Sequence, residues 1–346
     1  PRLRDRIDPL APATVVYTSG TTGRPKGALL THDNHRASAH AWAALLRPQP
    51  GDRWLLCVPL FHVAGLAIVT RATRWGAVLE VQDRFDPAAV STAIDDGVTH
   101  MSLVAAQLVG LLAERADRPV PSTLRAILLG GGPMPAELLR RARAAGYPLL
   151  TTYGLTETGS GVVSGGADQA TLDDPAAGRA LPGVELRIAA DGEILVRGEM
   201  VFAGYLDDEA ATARALPGDG WLHPGDQGTL EEGLLRIDAR RDDLIISGGE
   251  NIAPAEIEAV LEAHPGVAEA AVVGMADERW GAVPRAYIAT PGLEPPTDDE
   301  LDDFCRARLA SFKVPTGFVR LEALPRNSMG KVARAELVRM AEAGRS

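Results

Sequence analysis

The 346-residue sequence holds only two cysteines, Cys57 and Cys305, far apart and in no CxxC arrangement. A disulfide scaffold and a thiolate metal cluster are therefore excluded, and the pair suits reduced thiols in a cytoplasmic protein. No internal repeat or low-complexity tract appears. The longest apolar run, "MSLVAAQLVGLLA", is too short to span a bilayer and carries Gln107, so it reads as a buried helix. No signal-peptide pattern is visible, but the chain opens on Pro1 without a methionine, which leaves an upstream segment open. Cationic charge is in deficit: the formal net charge is -11, which argues against an unaided nucleic-acid or anionic-membrane surface while allowing a local basic pocket. Lysine is scarcer still. Of 35 basic residues three are lysine: Lys26, Lys313 and Lys331. Either chance left them, or they mark places that need a compact ammonium rather than a planar guanidinium.

What is present is ordinary globular material, 46% hydrophobic and 23% charged, enough for a substantial core and about two domains. From Thr14 to about Gly233, short apolar runs ("TVVYTSG", "RWLLCVPL", "AVLEV", "RAILLGG", "YPLLTTYG") alternate with amphipathic stretches such as "PAELLRRARAAG". These read as buried strands and helices in α/β layers with much parallel pairing. Glycines follow several of the strands, at the edge where open α/β sheets bind ligands. "VELRIAADGEILVRG" predicts a hairpin in a β-rich subdomain. Near Asp242 the pattern changes to a small α+β domain, with helices at "PAEIEAVLE" and "DDELDDFCRARLA" and strands at "VAEAAVVGM" and "AYIAT". The domains are drawn at 1–241 and 242–346.

The stretch "TSGTTGRPKG" packs glycines and hydroxyls ahead of a lysine. Glycine lets backbone N–H groups converge on an anion, and Lys26 adds a point charge, so polyphosphate is the natural guest. It is not a Walker A loop, because Pro25 precedes Lys26 and Gly27 follows it.

"YTSGTTGRPKGALLTH" resembles the phosphate-loop signature of the adenylate-forming superfamily of acyl- and aryl-CoA synthetases, luciferases and adenylation domains. "GGGPMP", "TYGLTET", "GWLHPGD", "ARRDDLIISGGENIAPAEIE" and "LPRNSMGK" follow in the family's order. The resemblance implies a large ATP- and acid-binding domain, a small mobile C-terminal lid domain, and a two-step reaction. ATP and a carboxylic acid give an acyl-adenylate and pyrophosphate, and coenzyme A then gives a thioester.

Residue by residue, the resemblance implies that Thr18, Ser19, Gly20, Thr21, Thr22, Gly23 and Lys26 hold the β- and γ-phosphates. Gly131, Gly132, Tyr153 and Gly154 belong to the nucleotide site, with Tyr153 stacked on adenine. Thr156 offers a hydroxyl to the α-phosphate and Glu157 an oxygen to Mg²⁺. Asp226 accepts the ribose hydroxyls although Pro224 stands where threonine is common, Arg240 reaches the same sugar, and Asp242 is the hinge, with Ala239 replacing a usual glycine. Lys331 is the adenylating lysine. Gly248 and Gly249 line the coenzyme A path, or form a plain tight turn. Taken singly, Tyr153 could be core, Glu157 a solvated helix end and Asp226 a turn residue.

"PLFHVAGLAIVTRATRW", "THMSLVAAQLVGLL" and "LLGGGPMP" look most like the o-succinylbenzoate-CoA ligases of menaquinone synthesis. That substrate is a dianion, so its pocket needs a cation. Arg71, sharing a helical face with Ala67, Ile68 and Trp75, is the candidate, the alternative being a side chain that snorkels to solvent. His62 would gate the pocket or be a core histidine, and Ser102, Gln107 and Gly131 are further candidates. The alternatives are a ligase for malonate, benzoate or a fatty acid, an adenylation domain that loads a carrier protein, and a non-catalytic nucleotide binder. The family's N-terminal subdomain is largely absent ahead of the first strand, by nature or because the chain is a fragment. No nucleic-acid partner and no membrane span are expected, and a homodimer is left open.

Overall fold

The computed structural model describes residues 7–18, 26–132, 134–166, 177–240, 245–247, 250–277, 280–290, 294–326 and 331–343. The chain divides into two compact units, Pro1–Pro224 with Gly228–Ile237, and Gly225–Gln227 with Asp238–Ser346.

The first unit is built on a nine-stranded mixed sheet. Its parallel part is β3 (Arg53–Leu56), β4 (Val78–Val81), β5 (His100–Leu103), β6 (Ala126–Leu129) and β7 (Leu149–Leu155). Helices α2 (Val63–Trp75), α3 (Pro87–Asp95), α4 (Ala105–Arg115) and α5 (Ala136–Ala144) cross between these strands. All four residues of β6 are buried, as expected of a central parallel strand covered on both faces. Antiparallel β8 (Ser160–Gly165) and β9 (Ala177–Ala180) extend the sheet through β14 (Leu234–Arg240) to β13 (Asp226–Glu231). Helix starts follow the local chemistry. Asp86 caps Ala89 N at 2.9 Å with Pro87 in the first turn of α3. Helix α1 (His32–Leu46) opens with a reciprocal Thr31–Asn34 capping box.

Three sequence expectations change in the structure. β1 (Pro12–Thr18) is not a buried parallel strand. It pairs antiparallel with β2 (Lys26–Thr31) in a separate three-stranded sheet completed by β12 (Gly204–Tyr205), and leaves Val15 and Tyr17 exposed. "AVLEV" becomes the edge strand β4, with Val78 and Val81 in solvent. The run "MSLVAAQLVGLLA" is not one helix but the end of β5 followed by α4, because an apolar run alone does not distinguish a strand from a helix. The predicted hairpin forms, as β10 (Glu185–Ile188) and β11 (Ile194–Arg197), and α6 (Glu209–Ala215) follows β12.

In the second unit β15 (Ile245–Ser247), β16 (Glu250–Ile252), β17 (Glu269–Asp277), β18 (Gly281–Ala289) and β19 (Phe318–Leu321) form one sheet. Helices α7 (Pro254–Glu262), α8 (Asp298–Arg306) and α9 (Arg334–Ala343) accompany it. Ile257, Leu261, Leu301 and Cys305 are fully buried, so the apolar stripes expected for α7 and α8 do face a core. Among the described residues no helix is long and apolar enough to cross a membrane. Both cysteines are free and buried.

Candidate active site

β6 and β7 are parallel neighbours, with Leu129 opposite Thr151, so their carboxyl ends lie side by side. The glycines after β6 and the "TYGLTET" segment of β7 therefore share one sheet edge. Gly131 has φ 89°, a conformation that a side chain would strain. Gly154 is required by contact: a Cβ there would meet the Ser160 carbonyl oxygen at 2.2 Å, because β7 and β8 press together across a bulge at Tyr153 and Gly154. Tyr153 is half-buried and packs on the core. Thr156 and Glu157 are half-buried in the single 3-10 turn Thr156–Thr158 beyond the strand.

Glu157 is held by a residue that sequence reasoning missed. The Tyr205 hydroxyl donates to Glu157 Oε1 at 2.6 Å, and Lys26 Nζ lies 5.5 Å from the centroid of the same ring. The β1–β2–β12 sheet makes this meeting possible, since β2 begins at Lys26 and β12 ends at Tyr205, with Ala28 paired to Tyr205. Thr18, opposite Lys26, closes the same strand pair. A carboxylate fixed by one oxygen is a suitable hard donor for Mg²⁺. Among the described residues no cluster of three or more His, Cys, Asp or Glu side chains is placed to hold a metal ion. Ser19, Gly20, Thr21, Thr22 and Gly23 lie outside the described residues.

Arg71 is buried, 2% exposed, on the inner face of α2. Its Nη2 donates to Ser160 Oγ at 2.8 Å and its guanidinium sits 5.0 Å from the Trp42 ring centroid, while Nε is buried without a hydrogen-bond partner among the described residues. No described carboxylate forms an ion pair with it. Burial pushes this guanidinium down to about 9, a measure of the desolvation it bears without a counter-ion. Ser160, also missed in the sequence, has φ 147°, a backbone region rare for a side-chain-bearing residue and held here between Gly159 and the β8 pairing.

The remaining acid-side candidates lie within or after β3 and β5. His62 is the N-cap of α2, half-buried, with its ring 4.3 Å from that of Phe61. Ser102 is half-buried in β5 beside Leu128. Gln107 has a local duty, since its Oε1 accepts Val104 N at 3.0 Å and caps α4. An open apolar groove of about 450 Å³ lined by Val15, Tyr17, Leu60, Phe61 and Leu66 does not include Arg71 and holds no charged side chain.

Asp226 is buried at the start of β13, directly after Gly225 with φ 81°. Lys331 is exposed in the second unit, next to Val332. Arg240 ends β14, its side chain outside the described residues, as are Asp242, Gly248 and Gly249.

The profile of the AMP-binding enzyme family matches residues 1–206, and that of the AMP-binding enzyme C-terminal domain matches residues 256–331. The chain belongs to this family of AMP-binding enzymes. It is 44% identical over 340 residues to the 2-succinylbenzoate--CoA ligase of Bacillus mycoides, covering 95% of this chain and 70% of that protein. Among solved structures it is similar to the o-succinylbenzoate CoA synthetase MenE of Bacillus subtilis in complex with the acyl-adenylate intermediate OSB-AMP. Identity there is 41% and the TM-score 0.88, over 95% of this chain and 69% of that one. The same enzyme with ATP and magnesium ion gives 40%, 0.87, 95% and 70%. ATP-bound MatB from Rhodopseudomonas palustris gives 31%, 0.89, 98% and 70%.

Proposed function

We propose that this chain is an ATP-dependent acid–CoA ligase acting on o-succinylbenzoate, as in menaquinone synthesis. The acid carboxylate attacks the α-phosphorus of ATP, the bond to pyrophosphate breaks, and the acyl-adenylate then passes its acyl group to the thiol of coenzyme A with AMP leaving. Both nucleophile and target are anionic, so the protein must neutralise charge and align the attack. Lys26 and Thr18 would meet the outer phosphates, Thr156 the α-phosphate, Tyr153 the adenine, and Asp226 with Arg240 the ribose. Glu157, steadied by Tyr205, would hold Mg²⁺, which when bound neutralises phosphate charge. Lys331 would bring its ammonium to the charge developing at the α-phosphate. Asp242 would be the hinge between a body of residues 1–241 and a lid of residues 242–346, and Gly248 and Gly249 would border the coenzyme A path.

The observation that carries the choice of acid is Arg71. A buried guanidinium with a serine and a tryptophan around it, and no carboxylate among the described residues, suits the second carboxylate of a dianionic acid. His62, Ser102 and Gln107 would shape the remainder of that pocket. Malonate, also a dianion, is the second reading that the same cation favours. The deciding experiment is acid-dependent pyrophosphate release over o-succinylbenzoate, malonate, benzoate and medium-chain fatty acids, with and without coenzyme A. Preference for o-succinylbenzoate with thioester formed from free coenzyme A supports the reading. Acyl-adenylate that reaches only a carrier protein, or no pyrophosphate from any acid, rejects it. We place the enzyme in the cytoplasm, in keeping with its unpaired thiols, and light scattering decides between a monomer and the homodimer.

A further inference from the structure

In the second unit the buried Glu258 is paired with the half-buried Arg334, and neither has a part in the proposed reaction. Arg334, the first residue of α9, places Nη1 and Nη2 on the two carboxylate oxygens of Glu258, at 2.6 and 3.0 Å. Nη1 also donates to the Val272 carbonyl at 2.7 Å, and Glu258 Oε1 accepts the Val272 N–H at 2.7 Å. Glu258 is 7% exposed on α7, and Val272 lies in the centre of β17. Two parallel charge-assisted bonds fix a guanidinium in distance and in plane, and burial strengthens them.

This clamp sits three residues after Lys331, and a single, more exposed ion pair lies five residues before it. Arg326 pairs with Glu269 at 2.5 Å, at the first residue of the same strand β17. Arg326 and Val332 face each other as an antiparallel bridge, and Ala333 N donates to the Pro325 carbonyl at 2.7 Å. Lys331 is thus an exposed lysine with Arg334 three positions after it and Arg326 five positions before it, and the side chains of both reach β17. A buried carboxylate is expensive to keep where hydrophobic packing would serve as well, so its retention calls for a geometric reason. An ammonium that must meet a developing charge needs its backbone held to a fraction of an ångström.

Building on the reading of Lys331 as the adenylating lysine, we propose that the Arg334–Glu258 pair positions Lys331 for adenylate formation. Arg334 is a positioning residue and touches no substrate. The test compares two half-reactions of the full chain: acid-dependent pyrophosphate release, and thioester formation from preformed acyl-adenylate and coenzyme A. Arg334→Gln is expected to slow the first on the order of 100-fold and to change the second by less than about twofold. The double variant Glu258→Gln/Arg334→Met removes both charges and strands neither, so it is expected to keep the fold and reproduce the same split. In a Lys331→Ala background, adding Arg334→Gln is expected to cost nothing more in the first half-reaction, because the pair acts only through that lysine.

Equal losses in both half-reactions overturn the proposal in favour of a purely structural pair. Full adenylation by the double variant, or further loss on top of Lys331→Ala, overturns it as well. Should Lys331→Ala itself leave adenylation intact, the role of the lysine falls first, an outcome that the single Lys331 variant separates from failure of the clamp alone.

Discussion

Arg115 and Arg71 are each 2% exposed in the first unit, but their surroundings differ. Between α3 and α4, Arg115 reaches Ser91 O at 2.9 Å, Ser91 Oγ at 3.1 Å, the Pro119 carbonyl at 2.9 Å and Asp95 Oδ1 at 2.9 Å. Between α2 and β8, Arg71 makes one hydrogen bond among the described residues, to Ser160, and has an aromatic face beside it. The first guanidinium holds a helix pair together through both terminal nitrogens and meets a carboxylate there, its Nε alone being buried without a partner among the described residues. The second bears the cost of burial with most of its donor capacity uncommitted among the described residues, the condition expected of a residue that waits for an anion.

The comparison is broken or sharpened most strongly at Arg71 itself. Arg71→Met is expected to lower kcat/KM for o-succinylbenzoate about 100- to 1000-fold, roughly 3–4 kcal/mol, with the KM for ATP unchanged and the unfolding midpoint unchanged or raised. Full activity on the dianion, followed by pyrophosphate release, would remove the substrate argument. Arg115→Met should do the reverse. Loss of its bonds, with the Ser91 and Pro119 carbonyls left unserved, is expected to cost about 3 kcal/mol in urea unfolding while turnover per folded molecule stays the same. If turnover fell with stability intact, the two arginines would not divide as described.

A smaller effect probes the anionic counterpart, Glu157, held at one oxygen by Tyr205. Tyr205→Phe keeps the ring beside Lys26 and removes the hydroxyl. About tenfold more Mg²⁺ is then expected to be required for nucleotide binding by calorimetry, roughly the worth of one charge-assisted hydrogen bond. No shift in the Mg²⁺ requirement would show that the hydroxyl does not steady the carboxylate.

The smallest effect concerns a histidine away from the site. His100 stacks on Trp54 at 4.9 Å and lies 2.7 Å from Thr99 Oγ1, and burial pushes its imidazole down to about 4, partly offset by Asp52 and reinforced by Arg125. Because the folded value is depressed, the unfolded chain takes up a proton near pH 6.5 that the folded chain refuses until about 4. Stability is therefore fully present above about pH 6.5 and falls as the pH drops through that window. His100→Phe, which keeps the stacking ring, is expected to flatten this limb of the stability–pH curve. An unchanged limb would assign it to other groups.

Much of this was legible along the chain. The alternation of apolar runs and helices, the Asp191-Gly192 hairpin and the stripes of α7 and α8 depend on near neighbours, and they appear where the sequence puts them. Two of the segments that misled did so for one reason. "TVVYTSG" and "AVLEV" have the composition of buried strands, but composition does not say which sheet a strand joins or whether another layer covers it. β1 joined a small antiparallel sheet and β4 became an edge. Ser160 and Tyr205 could not be found in the same way. Ser160 meets Arg71 across 89 residues and Tyr205 meets Glu157 across 48, and neither carries a local motif for that meeting.

The sequence by itself determined the chemistry on offer: a glycine- and hydroxyl-rich run ending in Lys26, a "TYGLTET" strand end, a late Lys331 beside glycine, and an arginine on an apolar helical stripe. These are properties of residues a few positions apart, where backbone periodicity alone decides what shares a face. Only the tertiary structure decided which buried arginine meets a carboxylate and which does not, which hydroxyl steadies Glu157, and that Glu258 grips the residue three positions past Lys331. Those outcomes depend on desolvation and hydrogen bonding between segments brought together from far along the chain, and a side chain's partners there are set by packing rather than by its neighbours in sequence.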